Sequence, residues 1–159
     1  MPTPSPLPRE LQILEQIESN PDTTQANLAE QLGVAVGTVN FAVKRLIKKG
    51  YIRVKQLERR RLKYIITPAG IALRTKLAMD SLQYSMRLYR ETRERAKQLI
   101  TQAKRAGATA LAIQGDGELA DVVRLTCLEM NITVQPNGGP TLCIVGTTLE
   151  LRPSAESQP

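Results

Sequence analysis

The chain has 159 residues and a formal net charge of +7, with no histidine, no tryptophan and two cysteines. That inventory excludes Ser/His/Asp and Cys/His catalysis and offers no cluster of metal ligands, so neither an enzyme nor a cofactor is expected. The length fits one domain or two small ones, and aromatics at 3% make the core aliphatic.

The positive charge is unevenly placed. Residues 1–67 carry eleven bases and six acids, residues 68–106 nine and three, and residues 107–159 two and six. The amino-terminal two thirds therefore suit a polyanion, and the remainder does not. No run of 18 apolar residues is present, so no membrane span is expected. The opening MPTPSPLP has neither a basic nor an apolar block and does not read as a secretion signal. Cys127 and Cys143 sit in apolar surroundings and read as small buried residues in a reducing cytoplasm.

In chain order, residues 1–8 alternate proline with small residues and read as a disordered arm. A first helix starts near Arg9, with Leu11, Ile13, Leu14 and Ile17 as its apolar side. It stops before Asn20-Pro21, because proline disfavours helix in the residue preceding it. Asp22, Thr23 and Thr24 then offer caps for a helix from about Gln25.

Two short amphipathic segments flank Gly33. Leu28, Ala29 and Leu32 line one face of the first, and Val36, Val39, Val43, Leu46 and Ile47 line one face of the second. Gly33 supplies the positive φ that ends a helix, and Ala29 leaves room for a close crossing. This is the helix-turn-helix pattern, whose second helix enters the DNA major groove. Two ordinary core helices are the alternative, and charge argues against it. The outward residues Thr38, Asn40, Phe41, Lys44, Arg45 and Lys48 include no acid, and Ala35 to Thr67 holds ten bases against Glu58 alone. Ala35 stands where a hydroxyl cap is expected, at a cost of about 1 kcal/mol.

Tyr51 to Lys55 alternates with period two, and Leu62 to Ile66 follows as a second strand. A hairpin directly after a helix-turn-helix is a wing. Its tip carries Arg59, Arg60 and Arg61, with Lys55 and Lys63 on its flanks, a pattern suited to phosphate and narrow minor grooves.

From about Leu11 to Gly70 the chain resembles the winged-helix domain of MarR-type bacterial transcriptional regulators, with closest resemblance to the subgroup associated with exopolysaccharide gene clusters. The residues that carry it are Leu28-Ala29, Leu32-Gly33-Val34, Gly37-Thr38-Val39-Asn40, Leu46 to Ile52 and Ile66 to Ile71. The resemblance implies a repressor more than an activator. Ala35 departs from the hydroxyl residue usual at that place.

Thr67-Pro68 reads as a helix start, and no proline intervenes before Ala106, so a helix of up to about 38 residues is expected. Leu82, Met86, Tyr89, Ala96 and Ile100 fall on a heptad seam, expected to join two copies of the chain, although the stripe could instead pack against its own chain.

After Gly107, a strand candidate over 108–114 leads into Gly115-Asp116-Gly117-Glu118-Leu119-Ala120, a helix to about Met130, and strands at 131–134 and 141–145. Strand, G-x-G-x-x-A turn, helix, strand resembles the front of a nucleotide- or nucleotide-sugar-binding Rossmann-like unit. Gly115, Asp116, Gly117 and Glu118 are thus a possible ligand site. Against it, Asp116 and Glu118 put negative charge where phosphates would sit, and the stretch is too short for a full Rossmann fold. A module for assembly or partner docking is the favoured reading.

The whole reads as an α+β chain. A winged helix-turn-helix spans 9–67, a long connecting helix 68–106, a small α/β module 107–148, and a disordered tail 149–159. The expected function is a sequence-specific, dimeric, double-stranded-DNA-binding transcription regulator in the cytoplasm, associated with the nucleoid. Lys44, Arg45, Lys48, Lys55, Lys63 and Arg59 to Arg61 are expected on phosphates; Thr38, Asn40 and Phe41 on base edges; Thr24 and Gly37 complete the set. The alternatives are a DNA binder of low specificity, architectural or replicative, and a regulator sensing a small-molecule effector at the carboxy-terminal turn.

Overall fold

The structure, a computed structural model, describes residues 7–59, 61–137 and 139–153. It divides into two compact units, Met1–Gln83 and Tyr84–Pro159.

In the first unit, α1 (Arg9–Ser19), α2 (Gln25–Leu32) and α3 (Val36–Lys48) precede the hairpin of β1 (Ile52–Glu58) and β2 (Arg61–Ile66). Local chemistry sets these boundaries. Thr24 Oγ1 accepts from the Asn27 amide at 3.1 Å and caps α2. Gly33, at φ 63°, closes α2 in the left-handed conformation. Ala35 makes no side-chain cap on α3, as its methyl group requires. Leu28 and Ala29 of α2 meet Val39, Ala42, Val43 and Leu46 of α3 over Ile13, Leu14 and Ile17 of α1. Ala42 takes a core position that the periodicity gave to Val36 and Ile47, both of which stay exposed. Ile52 and Tyr64 bring the hairpin onto the same core.

The hairpin is antiparallel, with Ile52 opposite Ile66, Lys55 opposite Lys63 and Glu58 opposite Arg61. A bulge falls between Gln56 and Glu58. Beyond its own ladder, the Tyr64 amide donates to the Pro21 carbonyl at 2.9 Å. Gln25 Nε2 lies 3.4 Å from the Tyr64 hydroxyl.

Helix α4 runs from Pro68 to Arg105, 38 residues. Thr67 starts it twice over: its hydroxyl accepts from the Gly70 amide at 3.1 Å and donates to the Gly50 carbonyl at 2.6 Å. Gly70 has no room for a side chain, since a Cβ there would lie 2.1 Å from the Tyr51 carbonyl oxygen.

The second unit comprises the later part of α4 with β3 (Ala110–Gln114), α5 (Glu118–Glu129), β4 (Thr133–Val134), β5 (Thr141–Val145) and β6 (Thr148–Arg152). Its sheet has the order β4-β3-β5-β6. Strand β3 is parallel to both β4 and β5, and β6 is antiparallel to β5. The β3–α5–β4 segment is a crossover of the βαβ kind. Ala96, Leu99, Ile100 and Ala103 of α4 pack with Leu111, Val123, Cys127, Leu142 and Leu149 in one core. Both cysteines are free and buried, and burial raises the Cys127 thiol pKa.

Two expectations require correction here. Ala96 and Ile100 are fully buried within their own chain, so they are not part of a seam between copies. The periodicity was real, but the sheet of the same unit covers it. The disordered tail expected from residue 149 begins instead as strand β6 through Arg152, with Leu149 in the core. The rest of that tail, and the arm before Leu7, lie outside the described residues.

Candidate nucleic-acid interface

Helix α3 turns its two faces to different tasks. Val39, Ala42, Val43 and Leu46 are buried, while Gly37, Phe41, Lys44 and Lys48 form an exposed strip at helical spacing. Thr38 and Asn40 flank that strip and are half-buried. Phe41 is 70% exposed, so nothing in its own fold accounts for an aromatic ring at the centre of the strip.

Charge pairing within the first unit leaves this strip uncompensated. Glu10 pairs with Arg45, Glu18 with Arg74, and Asp22 lies 3.5 Å from Arg61. Lys44, Lys48, Lys55, Arg59 and Lys63 have no carboxylate partner among the described residues. Arg45, which the sequence reading placed with the phosphate-binding lysines, is held by a carboxylate of α1.

On the hairpin, Lys55 and Lys63 are directly opposed partners on one face. Like charges in that relation destabilise a sheet unless an anion lies between them or nearby. Arg53, opposite Ile65, shares this face and is exposed. The sequence reading omitted it, although the period-two alternation from Tyr51 to Lys55 carried the signal. Arg59 and Arg61 are exposed at the tip; Arg60 lies outside the described residues. Thr24 is exposed, with its hydroxyl engaged in the α2 cap.

The glycine turn of the second unit has a packing explanation. Gly115 adopts φ 129°, and a Cβ there would approach the Ile144 side chain to 2.9 Å. Gly117, at φ 79°, precedes α5, whose first turn holds Glu118 and Asp121. Asp116 and Glu118 are exposed and place two carboxylates at the positive end of the α5 dipole, which they already complement. Among the described residues, no group of His, Cys, Asp and Glu is disposed to hold a metal ion.

Residues 7–53 match the family model described as winged helix-turn-helix DNA-binding. The helices and hairpin of the amino-terminal unit have the winged helix-turn-helix arrangement that this model describes. Solved structures similar to the chain include a MarR protein from Peptoclostridium difficile, at 21% identity over 61% of this chain and 65% of that one, TM-score 0.46. A Mycobacterium tuberculosis MarR family protein, Rv2887, solved with salicylic acid, shares 21% identity over 50% and 60% of the two chains, TM-score 0.44. Streptococcus pneumoniae FabT, solved with DNA, shares 25% identity over 49% and 53%, TM-score 0.39. The chain thus spans less than two thirds of each of these proteins. No curated protein matches it.

Proposed function

We propose that this protein is a MarR-type transcription regulator that binds a specific double-stranded DNA site as a homodimer and represses transcription from it. The observation that carries the reading is the exposed strip of α3, with unpaired Lys44 and Lys48 around an exposed Phe41, on the same domain as a hairpin bearing opposed lysines. A helix with that strip can enter a major groove, while the hairpin reaches the backbone beside it. Lys44, Lys48, Lys55, Lys63, Arg53 and Arg59 hold phosphates; Thr38, Asn40 and Phe41 meet base edges, Asn40 toward adenine and Phe41 toward a thymine methyl. Dimerisation uses Leu82, Met86 and Tyr89, all exposed on α4.

Selection of bound fragments from random DNA, followed by competition binding, tests this. One palindromic site should be preferred over bulk DNA by at least ~10³. Equal affinity for all duplexes would instead favour an architectural or replicative role. Thr38→Ala should narrow the gap between the selected site and random DNA. Equal losses on both would remove Thr38 from base reading.

A further inference from the structure

Resting on the DNA-binding reading, we propose that Leu57 is a wedge. It enters a base step in the minor groove, partly unstacks it and bends the duplex, so that sites are selected by how readily that step opens.

The ribbon that carries Leu57 is fastened to the domain at its root, where Ile52 and Tyr64 lie in the core of the first unit. Leu57 stands five positions beyond Ile52 on β1, about 17 Å further out at ~3.3 Å per residue. The ladder pairs Gln56 with Leu62 and Glu58 with Arg61, so Leu57 is the extra residue of the bulge and has no partner across the strands. A bulge bends its strand and re-aims a side chain. Leu57 is 43% exposed and Leu62, opposite its neighbour, 44%, and neither belongs to a core.

The fold makes no use of these two leucines. A hairpin tip that serves only to turn the chain is built from glycine, asparagine, aspartate and serine, whereas this one reads Gln-Leu-Glu-Arg-Arg-Arg-Leu from Gln56 to Leu62. The surrounding charge names the partner. Arg59 and Arg61 are exposed on either strand beside the bulge, and an apolar protein surface would have to bury their guanidinium groups. A duplex has charged walls for the arginines and an apolar interior of stacked bases for the leucine. Glu58, the one acid of the tip, stands opposite Arg61 in the ladder. The contact of Arg61 with Asp22 is exposed on both sides and is readily exchanged for a phosphate.

Apolar side chains inserted between base pairs from the minor groove kink the duplex. The cost falls on the step that opens, and it is lowest at flexible pyrimidine–purine steps such as TA. Leu57 thereby adds a sequence preference where no base edge is read, separate from Thr38, Asn40 and Phe41 of α3 in the major groove.

2-Aminopurine placed at successive adenine positions of the selected duplex tests this, because its fluorescence rises on unstacking. Binding of the full chain should raise the signal about twofold or more at one pyrimidine–purine step of each half-site, and Leu57→Ala should remove that rise. Replacing that step by AA should weaken wild-type binding about fivefold or more, and Leu57→Ala binding by less than about twofold. Leu57→Met, of similar apolar bulk, should behave as wild type. The free protein should melt at the same temperature in all three forms, because Leu57 lies outside the core. A purely structural leucine would move the melting temperature and leave the step preference intact. The wedge is refuted if the selected site is bound with no rise at any step, or if Leu57→Ala keeps both the rise and the preference. Failure to bind any duplex refutes the DNA-binding reading, and the wedge with it.

Discussion

Two residues in the first unit show how much a single position decides. Gly70 sits where the start of α4 passes the Tyr51 carbonyl, and a methyl group there would enter backbone atoms that have no freedom to yield. Gly70→Ala should destabilise the protein by about 1–3 kcal/mol, the usual range for overpacking, measured by urea denaturation. Ala35 is the opposite case, an uncapped helix start with space for a hydroxyl. Ala35→Ser should raise stability by about 1 kcal/mol in the same measurement. Arg45 is tied to Glu10 at the surface, so Arg45→Ala should leave the salt dependence of DNA binding almost untouched. Arg59→Ala, by contrast, should lower the slope of log affinity against log salt by about 1.

At the scale of the element, the hairpin sets folding against the proposed binding. Lys55 and Lys63 repel each other across the ladder in the free protein. Lys55→Glu should therefore stabilise the free hairpin by a few tenths of a kcal/mol and yet weaken DNA binding at least tenfold. Thermal melts and fluorescence anisotropy on one variant would show the two effects with opposite signs. These elements were legible in the sequence because their signals are local: the Thr24 cap, the Gly33 stop, and Thr67-Pro68 at the head of α4. What escaped was set by distance. The Arg45 partner Glu10 lies on another helix, and no spacing within α3 announces it. Ala96 and Ile100 have the periodicity of a buried stripe, which is identical whether a second chain or the same sheet covers it. Strand β6 alternates Thr-Leu-Glu-Leu-Arg after a turn at Gly146, but with only Leu149 and Leu151 facing inward it looked like the start of a polar tail.

For the whole molecule, the two units divide charge as well as core. In the first, Glu10, Asp22 and Glu18 pair with Arg45, Arg61 and Arg74, and Lys44 and Lys48 of the exposed α3 strip have no carboxylate partner among the described residues. The second, with its buried thiol, carries a pH dependence of its own. Burial holds the Cys127 pKa above the ordinary thiol value, so the folded state keeps its proton where the unfolded chain loses it. Stability from this source is full below the ordinary thiol range and is lost as pH rises from there through the raised folded value. Cys127→Ala should lower stability at neutral pH, through the cavity it leaves, while flattening the alkaline decline in a series of denaturant melts. The proposed dimer is tested at the same scale. Leu82 is 56% and Met86 55% exposed on α4, so replacing both with lysine should leave the circular dichroism intact and convert a sedimenting dimer to monomer.

The bond from the Tyr64 amide to the Pro21 carbonyl reaches past the structural role it plays in the fold. It bolts the root of the β1–β2 ribbon to the body, with Ile52 and Tyr64 sunk into the core, while the described residues beyond the bulge at Leu57 are held by the ribbon's own ladder and one exposed ion pair, Arg61 to Asp22. The ribbon is a cantilever, clamped at one end and compliant at the other. In the proposed complex its Arg59 end would follow grooves of differing width while α3 stayed seated, and amide exchange in the free protein should quicken stepwise from Tyr64 outward to Leu62.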